Sequence, residues 1–369
     1  MSTTAIAEQR AYLGHAVTAT QLSDTRSLIY FDDSATPPTT RPHDARESTE
    51  RSATPTMRLD PLTREWVSIA PARNQRAFLP TKESCPLCAQ TDANPSEIPG
   101  PFDVAVFENK SPSFGPAVGS SSSLPSKPFG AQADASGRCE VVVFSQDHHG
   151  SFIGLDAQRI DTVIAAWTHR TEELKALPGV KTVFPFENRG EDIGVTLHHP
   201  HGQIYSYPFI PPRTSQLLEN SRAHGAGFFQ DYLEFESRSE RLVIRGDNFS
   251  AFVPFAARWP VEMILMPHRP VGDFTELTDS ERNELGVLVP QMLNAVDGLY
   301  ESETPYIAAW YQAPVGSDGE DFRFHFRVTS PKRSENKLKF LAGSETAMGA
   351  FILDVKPETQ AEQLRAVLA

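Results

Sequence analysis

Two segments of this 369-residue chain run through the same order of patterns, 122 positions apart from Asp156 to Thr278. That spacing constrains the fold more than any other feature. In 141-VVVFSQDHHGSFIGLDAQRIDTVIAAW-167 an apolar strand leads through a histidine-bearing loop and a Phe to a helix cap, after which Ile160, Ile164 and Trp167 recur at helical spacing. In 262-EMILMPHRPVGDFTELTDSERNELGVLVPQML-293 the order returns, with Thr278 and Glu281 placed as a capping box. The first copy continues through a strand at 181-KTVFPFEN-188, the second through 305-PYIAAWYQAP-314 to a strand at 322-FRFHFRVTS-330. The expectation is a duplicated α+β unit of mostly antiparallel strands backed by helices. Pro290 is expected to kink or shorten the second helix. Residues 1–56 read as an N-terminal extension, with a hairpin over 16–33 and a Pro- and Thr-rich linker over 34–56. The two halves then occupy 57–212 and 213–369, and 116–130 reads as a surface loop.

Composition narrows the function. With 39% hydrophobic residues and no apolar run near the roughly 20 residues of a membrane span, the chain reads as globular rather than membrane-inserted. The N-terminus lacks a basic start followed by an apolar stretch, so the cytoplasm is the expected compartment. A net charge of −13 argues against nucleic acid as a partner. It leaves small phosphate ligands open, since local groups hold those. Three cysteines make no even disulfide framework, and the pair in 85-CPLC-88 reads as a metal half-site or a redox pair.

The chemistry concentrates in 198-HHPHGQ-203. An extended backbone sends alternate side chains to one face, so His199, His201 and Gln203 are expected to point together. Pro200 between them donates no hydrogen bond and suits a strand end. One imidazole can ligate a metal while the other serves as nucleophile or acid–base near neutral pH. Cys85 and Cys88 supply half of a tetrahedral site, and His148 and His199 are the candidates to complete it. In 187-ENRGEDIGVT-196, Gly190 and Gly194 let the backbone approach a ligand, with Asn188 and Thr196 as donors; an ordinary hairpin is the other reading. Arg73 and Arg76 are spaced to grip phosphate or stack on a base, or to lie solvated on the surface.

HPHGQ at 199–203 after FEN at 186–188 resembles the galactose-1-phosphate uridylyltransferases, a branch of the histidine-triad superfamily. RLDPLTREWVSIAPAR, CPLC, VVVFSQDH, PFAARWPVEMILMP and KFLAGSE fall in the same order from about residue 57 to the C-terminal helix. The resemblance implies a duplicated histidine-triad-like fold and a ping-pong exchange of UMP between UDP-glucose and galactose 1-phosphate. His201 is then the nucleophile, and Gln203 donates to a phosphoryl oxygen; hydrolase branches usually carry a third histidine there. Cys85, Cys88, His148 and His199 match ligands of one structural zinc. Arg73, Arg76, Asn109 and Asn188 match nucleotide-diphosphate contacts, Gly194 and Thr196 line the phosphate, and Lys339 and Glu345 match hexose-phosphate contacts. Ser344 stands where relatives often have Tyr. Some relatives hold a second metal; the matching positions here read Leu217, Tyr311, Arg323 and His325, so none is expected. A homodimer is implied, with C-terminal residues serving either chain's site. The alternative within the superfamily is a nucleotide-sugar or dinucleotide phosphorylase that transfers an adenylyl group.

Overall fold

The computed structural model describes residues 3–5, 9–47, 55–75, 78–116, 129–316, 319 and 322–369. One mostly buried sheet takes in twelve strands. In chain order these are β1 (Gln9–Tyr12), β2 (His15–Gln21), β3 (Ser27–Asp32), β4 (Val104–Glu108), β5 (Arg138–Val143), β6 (Thr182–Arg189), β7 (His201–Tyr207), β8 (Leu242–Arg245), β9 (Phe249–Phe252), β10 (Val261–Pro267), β11 (Tyr306–Tyr311) and β12 (His325–Ser330). Their order across the sheet is β8-β9-β10-β12-β11-β6-β7-β5-β4-β3-β2-β1, each neighbour antiparallel. The helices are α1 (Ala157–Lys175), α2 (Pro212–His224), α3 (Phe228–Ser237), α4 (Asp279–Asp297), α5 (Gly343–Met348) and α6 (Pro357–Leu368).

Read outward from the central β6–β11 pair, β6-β7-β5-β4 on one side matches β11-β12-β10-β9 on the other. Each set wraps one long helix, α1 or α4, so the duplication expected from the sequence is the plan of the fold. The helix starts follow their caps: the Asp156 side chain accepts from the Arg159 N–H, and Thr278 with Glu281 makes both bonds of a capping box. Pro290 neither ends nor shortens α4, which runs unbroken over 19 residues. The carbonyl that its ring crowds belongs to Gly286, where no Cβ restricts adjustment of the backbone.

α1, α4 and α6 pack on one face of the sheet, over Val142, Val183, Ile204, Met263, Leu265 and Val328 among others. Trp167 of α1 stacks on Phe152 at 5.7 Å and meets Trp310 of β11 at 5.6 Å, which ties the halves together. The opposite face differs between the halves. Over the second, α2 and α3 press Leu218, Phe229 and Leu233 onto Phe252, Ile264 and Met266. Over the first, the Cys85–Cys88 loop covers Phe107, Val141 and Val143 and leaves part of β7 open. A small sheet of Thr56–Leu59, Trp66–Ile69 and Gln132–Asp134 stands beside it.

The segment that the sequence set apart at the N-terminus pairs directly with the main sheet. The expected hairpin forms as β2–β3, and β3 continues onto β4 through Leu28 opposite Phe107. Phe31 is wholly buried, worth about 2 kcal/mol. Tyr12 donates to Glu172 of α1 at 2.8 Å and His15 lies 2.9 Å from Asp161, so side chains also tie these strands to the helix. Thr40–Pro42 of the expected linker is a short strand paired with Thr3–Ala5. Most of the expected 116–130 loop falls outside the described residues.

Candidate active site

β7 carries the open face. His201, Gln203, Tyr205 and Tyr207 are partly exposed while Gly202, Ile204 and Ser206 are buried, the two-residue period of a strand. Gly202 must be glycine, because a Cβ there would sit 2.9 Å from the Phe144 ring and 3.1 Å from the Phe186 carbonyl. The strand begins at His201, so His199 lies outside the alternation that the sequence suggested. Its ring turns instead into a buried cluster.

That cluster joins Cys85, Cys88, His148 and His199, with the four ligand atoms within 4.8 Å of one another. The His199 Nδ1 lies 3.7 Å from Cys85 Sγ and 3.5 Å from Cys88 Sγ, and the His148 Nδ1 lies 3.4 Å from Cys88 Sγ. A tetrahedral shell with metal–sulfur bonds near 2.3 Å and metal–nitrogen bonds near 2.05 Å has S···N edges of about 3.6 Å, so the donor set fits such an ion. The His199 Nε2 lies 2.8 Å from the Ser145 carbonyl. A carbonyl only accepts, so Nε2 carries the proton and Nδ1 presents its lone pair to the cluster. Burial pulls the His199 pKa down to about 4 and keeps the ring neutral. Burial, with Cys85 beside it, pushes the Cys88 thiol up to about 12. A bound cation reverses that preference and makes the thiolates favourable.

The same argument fixes the tautomer of His201. Its Nδ1 lies 2.7 Å from the His199 carbonyl and must donate to it, so Nε2 holds the lone pair. His201 shares a pocket of about 150 Å³ with Asn188, Glu187, Arg189, His198 and Val195. Asn188 stands on β6, on the face of Phe186, which lies opposite Gln203. Gly194 ends a short turn at φ 83°, and the Thr196 carbonyl accepts from the Leu79 N–H at 2.8 Å. Both flank Val195 at the pocket. Arg73, in the short helical turn Pro71–Gln75, donates to the Tyr205 hydroxyl at 3.3 Å and so overlies β7 beyond Gln203. Asn109 follows β4; its N–H donates to the carbonyl of Cys139, the residue opposite Tyr205. Arg76 lies outside the described residues. Lys339 and Glu345 pair with each other at 3.3 Å, buried in the C-terminal segment, and do not line the His201 pocket.

Two participants escape a motif reading. Ser145 supplies only a carbonyl. Glu187, inside the FEN triplet, alternates to the other face, where the Tyr306 hydroxyl donates to it at 3.3 Å; burial raises its pKa to about 7. The second half repeats the local geometry without an open site. The His325 Nδ1 lies 2.9 Å from the Arg323 carbonyl, as His201 does from His199, but His325 is 5% exposed and stacks on Tyr311 at 4.8 Å. Arg323 occupies the place that His199 takes in the first half.

The family model for the galactose-1-phosphate uridyl transferase N-terminal domain matches residues 44–211, and that for the C-terminal domain matches 214–369. A galactose-1-phosphate uridylyltransferase of Streptomyces lividans is 38% identical over 95% of this chain and 97% of its own length. One of Thermotoga maritima is 35% identical over 84% and 97%. A solved uridylyltransferase structure superposes with TM-score 0.77 at 30% identity, covering 85% of this chain and 98% of that one. An ADP-glucose phosphorylase of Arabidopsis thaliana shares the fold at TM-score 0.62 and 23% identity. With both halves matched in order and at this identity, the chain belongs to the galactose-1-phosphate uridylyltransferase family.

Proposed function

We propose that this enzyme exchanges a uridylyl group between UDP-glucose and galactose 1-phosphate through a covalent intermediate on His201. The observation that carries the reading is the 2.7 Å bond from His201 Nδ1–H to the His199 carbonyl, because in the neutral ring it leaves the lone pair on Nε2. Nε2 attacks the α-phosphorus, the bond to the departing phosphate oxygen breaks, and glucose 1-phosphate leaves with that electron pair. A phosphate oxygen of galactose 1-phosphate then attacks, the P–N bond breaks, and the imidazole returns neutral. No net proton moves, since Nδ1–H stays on the carbonyl throughout. Gln203 donates to a phosphoryl oxygen as charge gathers there. Arg73, Arg76 and Asn109 contact the nucleotide diphosphate; Asn188, Gly194 and Thr196 line the phosphates.

Cys85, Cys88, His148 and His199 would hold a zinc ion, which suits a set of two sulfur and two nitrogen donors. It would supply structure, not chemistry: holding the His199 ring would fix the carbonyl that orients His201. The working form is a cytoplasmic homodimer in which Lys339 and Glu345 reach the hexose phosphate at the neighbouring chain's site. The exposure of Phe340 (75%) and Met348 (81%) on the same segment supports that reading. Incubation with UDP-glucose labels His201, and galactose 1-phosphate discharges the label as UDP-galactose. A His201→Ala enzyme that keeps its fold and still exchanges contradicts the mechanism. Labelling by ADP-glucose in preference to UDP-glucose replaces it with adenylyl transfer.

A further inference from the structure

The pocket at His201 carries more acid than base. Among the described residues that line it stand three carboxyl groups, those of Glu187, Glu191 and Glu303, against one guanidinium, that of Arg189. Arg189 is already taken: its Nη1 donates to Asp297 at 2.8 Å and its Nη2 to Glu303 at 3.1 Å. A phosphoryl group entering this pocket gains from any further donor on the wall.

One such donor lies three residues from the nucleophile. Glu191 and His198 both line the pocket, near the two ends of the turn between β6 and β7, and the His198 Nε2 lies 3.2 Å from a Glu191 carboxylate oxygen. A carboxylate has no proton to give, and two lone pairs would repel at that distance, so Nε2 carries the proton. That N–H is a donor whether or not Nδ1 also holds a proton, so its use does not depend on titration of the ring. The His198 side chain is 50% exposed and that of Glu191 61%, which leaves both room to turn. An exposed contact of this kind stabilises little, whereas a bond from an N–H to a phosphate oxygen is charge-assisted.

We propose that His198 is a further substrate-binding residue, donating its Nε2–H to a phosphoryl oxygen of the nucleotide sugar, and that Glu191 competes with that oxygen for the same N–H. In the empty pocket the proton faces Glu191; on binding it turns to the phosphoryl oxygen and the carboxylate moves to water. Glu191 therefore lowers affinity twice over, by holding a donor and by repelling an anion. Such a brake suits an exchange in which one sugar phosphate must leave before the next can enter, because tight ground-state binding adds nothing to turnover. The ligand's identity rests on the reaction proposed above.

Calorimetric titration of UDP-glucose into the full-length His201→Ala protein, where no transfer occurs, tests the assignment by binding alone. With His198→Ala added, Kd rises about tenfold; with His198→Gln, which keeps a side-chain N–H at similar reach, most of that loss is recovered; with Glu191→Gln, Kd falls about threefold. The opposite signs discriminate, because a contact that merely braced the turn would weaken binding when either partner was removed. An unchanged Kd for His198→Ala, a weaker one for Glu191→Gln, or a His198→Gln protein no better than His198→Ala overturns the proposal. If His198→Ala does not fold, the Glu191→Gln titration decides. Exchange assays with His201 in place keep the two readings apart: these shifts in Kd without any transfer by wild type contradict the reaction and leave His198 assigned, and transfer with no shift in Kd does the reverse.

Discussion

At the scale of single residues, the account rests on which nitrogen or oxygen holds a proton. The Cys88 thiol at about 12 must lose its proton to bind a metal, so metal uptake by the stripped protein is expected to release protons and to tighten as pH rises. Metal titrations in weakly buffered dye check this; uptake without proton release contradicts it. Glu187 makes a second prediction. Unfolded, it titrates near 4.5; folded and buried, at about 7. Below 4.5 both states are protonated and burial costs little. As pH climbs from 4.5 through 7 the folded chain must hold a buried charge, and stability falls by up to about 3 kcal/mol. Glu187→Gln is therefore expected to gain on wild type in Tm between pH 5 and pH 8, whereas parallel curves contradict the assignment. The gathering of Cys85, Cys88, His148 and His199 was legible because spacing and residue type mark it. Glu187 and the Ser145 carbonyl were not, since their roles come from partners remote in sequence.

At the scale of elements, the turn between β6 and β7 sets the pocket. Gly190 sits at φ 100°, and a Cβ there would lie 2.7 Å from Pro305 Cβ and 3.0 Å from its Cα. Gly194 has a similar φ of 83° with nothing within 4 Å. Both Ala variants meet backbone strain, but only Gly190→Ala also collides. We expect Gly190→Ala to cost more than about 1 kcal/mol and to lower kcat/KM for exchange, with Gly194→Ala milder in both. Equal effects in Tm and kinetics contradict the packing argument. Thr278→Ala removes a complete capping box and is expected to cost about 1 kcal/mol by urea denaturation. Helix starts were readable because caps are local. The uninterrupted run past Pro290 was not readable, because the tolerance at Gly286 is a matter of backbone room, which periodicity does not encode. The start of β7 at His201 was missed because alternation alone cannot say where a strand begins.

At the scale of the molecule, one duplicated sheet leaves the face of β7 open in one half and covers the matching face in the other. Helices α2 and α3 lie over the face that in the first half carries His201, and His325 is sealed beneath the second. The repeat was legible from its spacing, but the central β6–β11 pairing and the docking of β1–β3 were not. Those depend on contacts between distant segments. Because every residue of β4 is buried, removing residues 1–33 bares an apolar strand edge, and the truncated chain is expected to aggregate or lose several kcal/mol of stability by urea denaturation. The most direct test of the central claim is intact-protein and peptide mass spectrometry after UDP-glucose, followed by a galactose 1-phosphate chase. One uridylyl group per chain, on His201 and discharged as UDP-galactose, is the predicted result; no adduct, or an adduct on another residue that turns over, contradicts it.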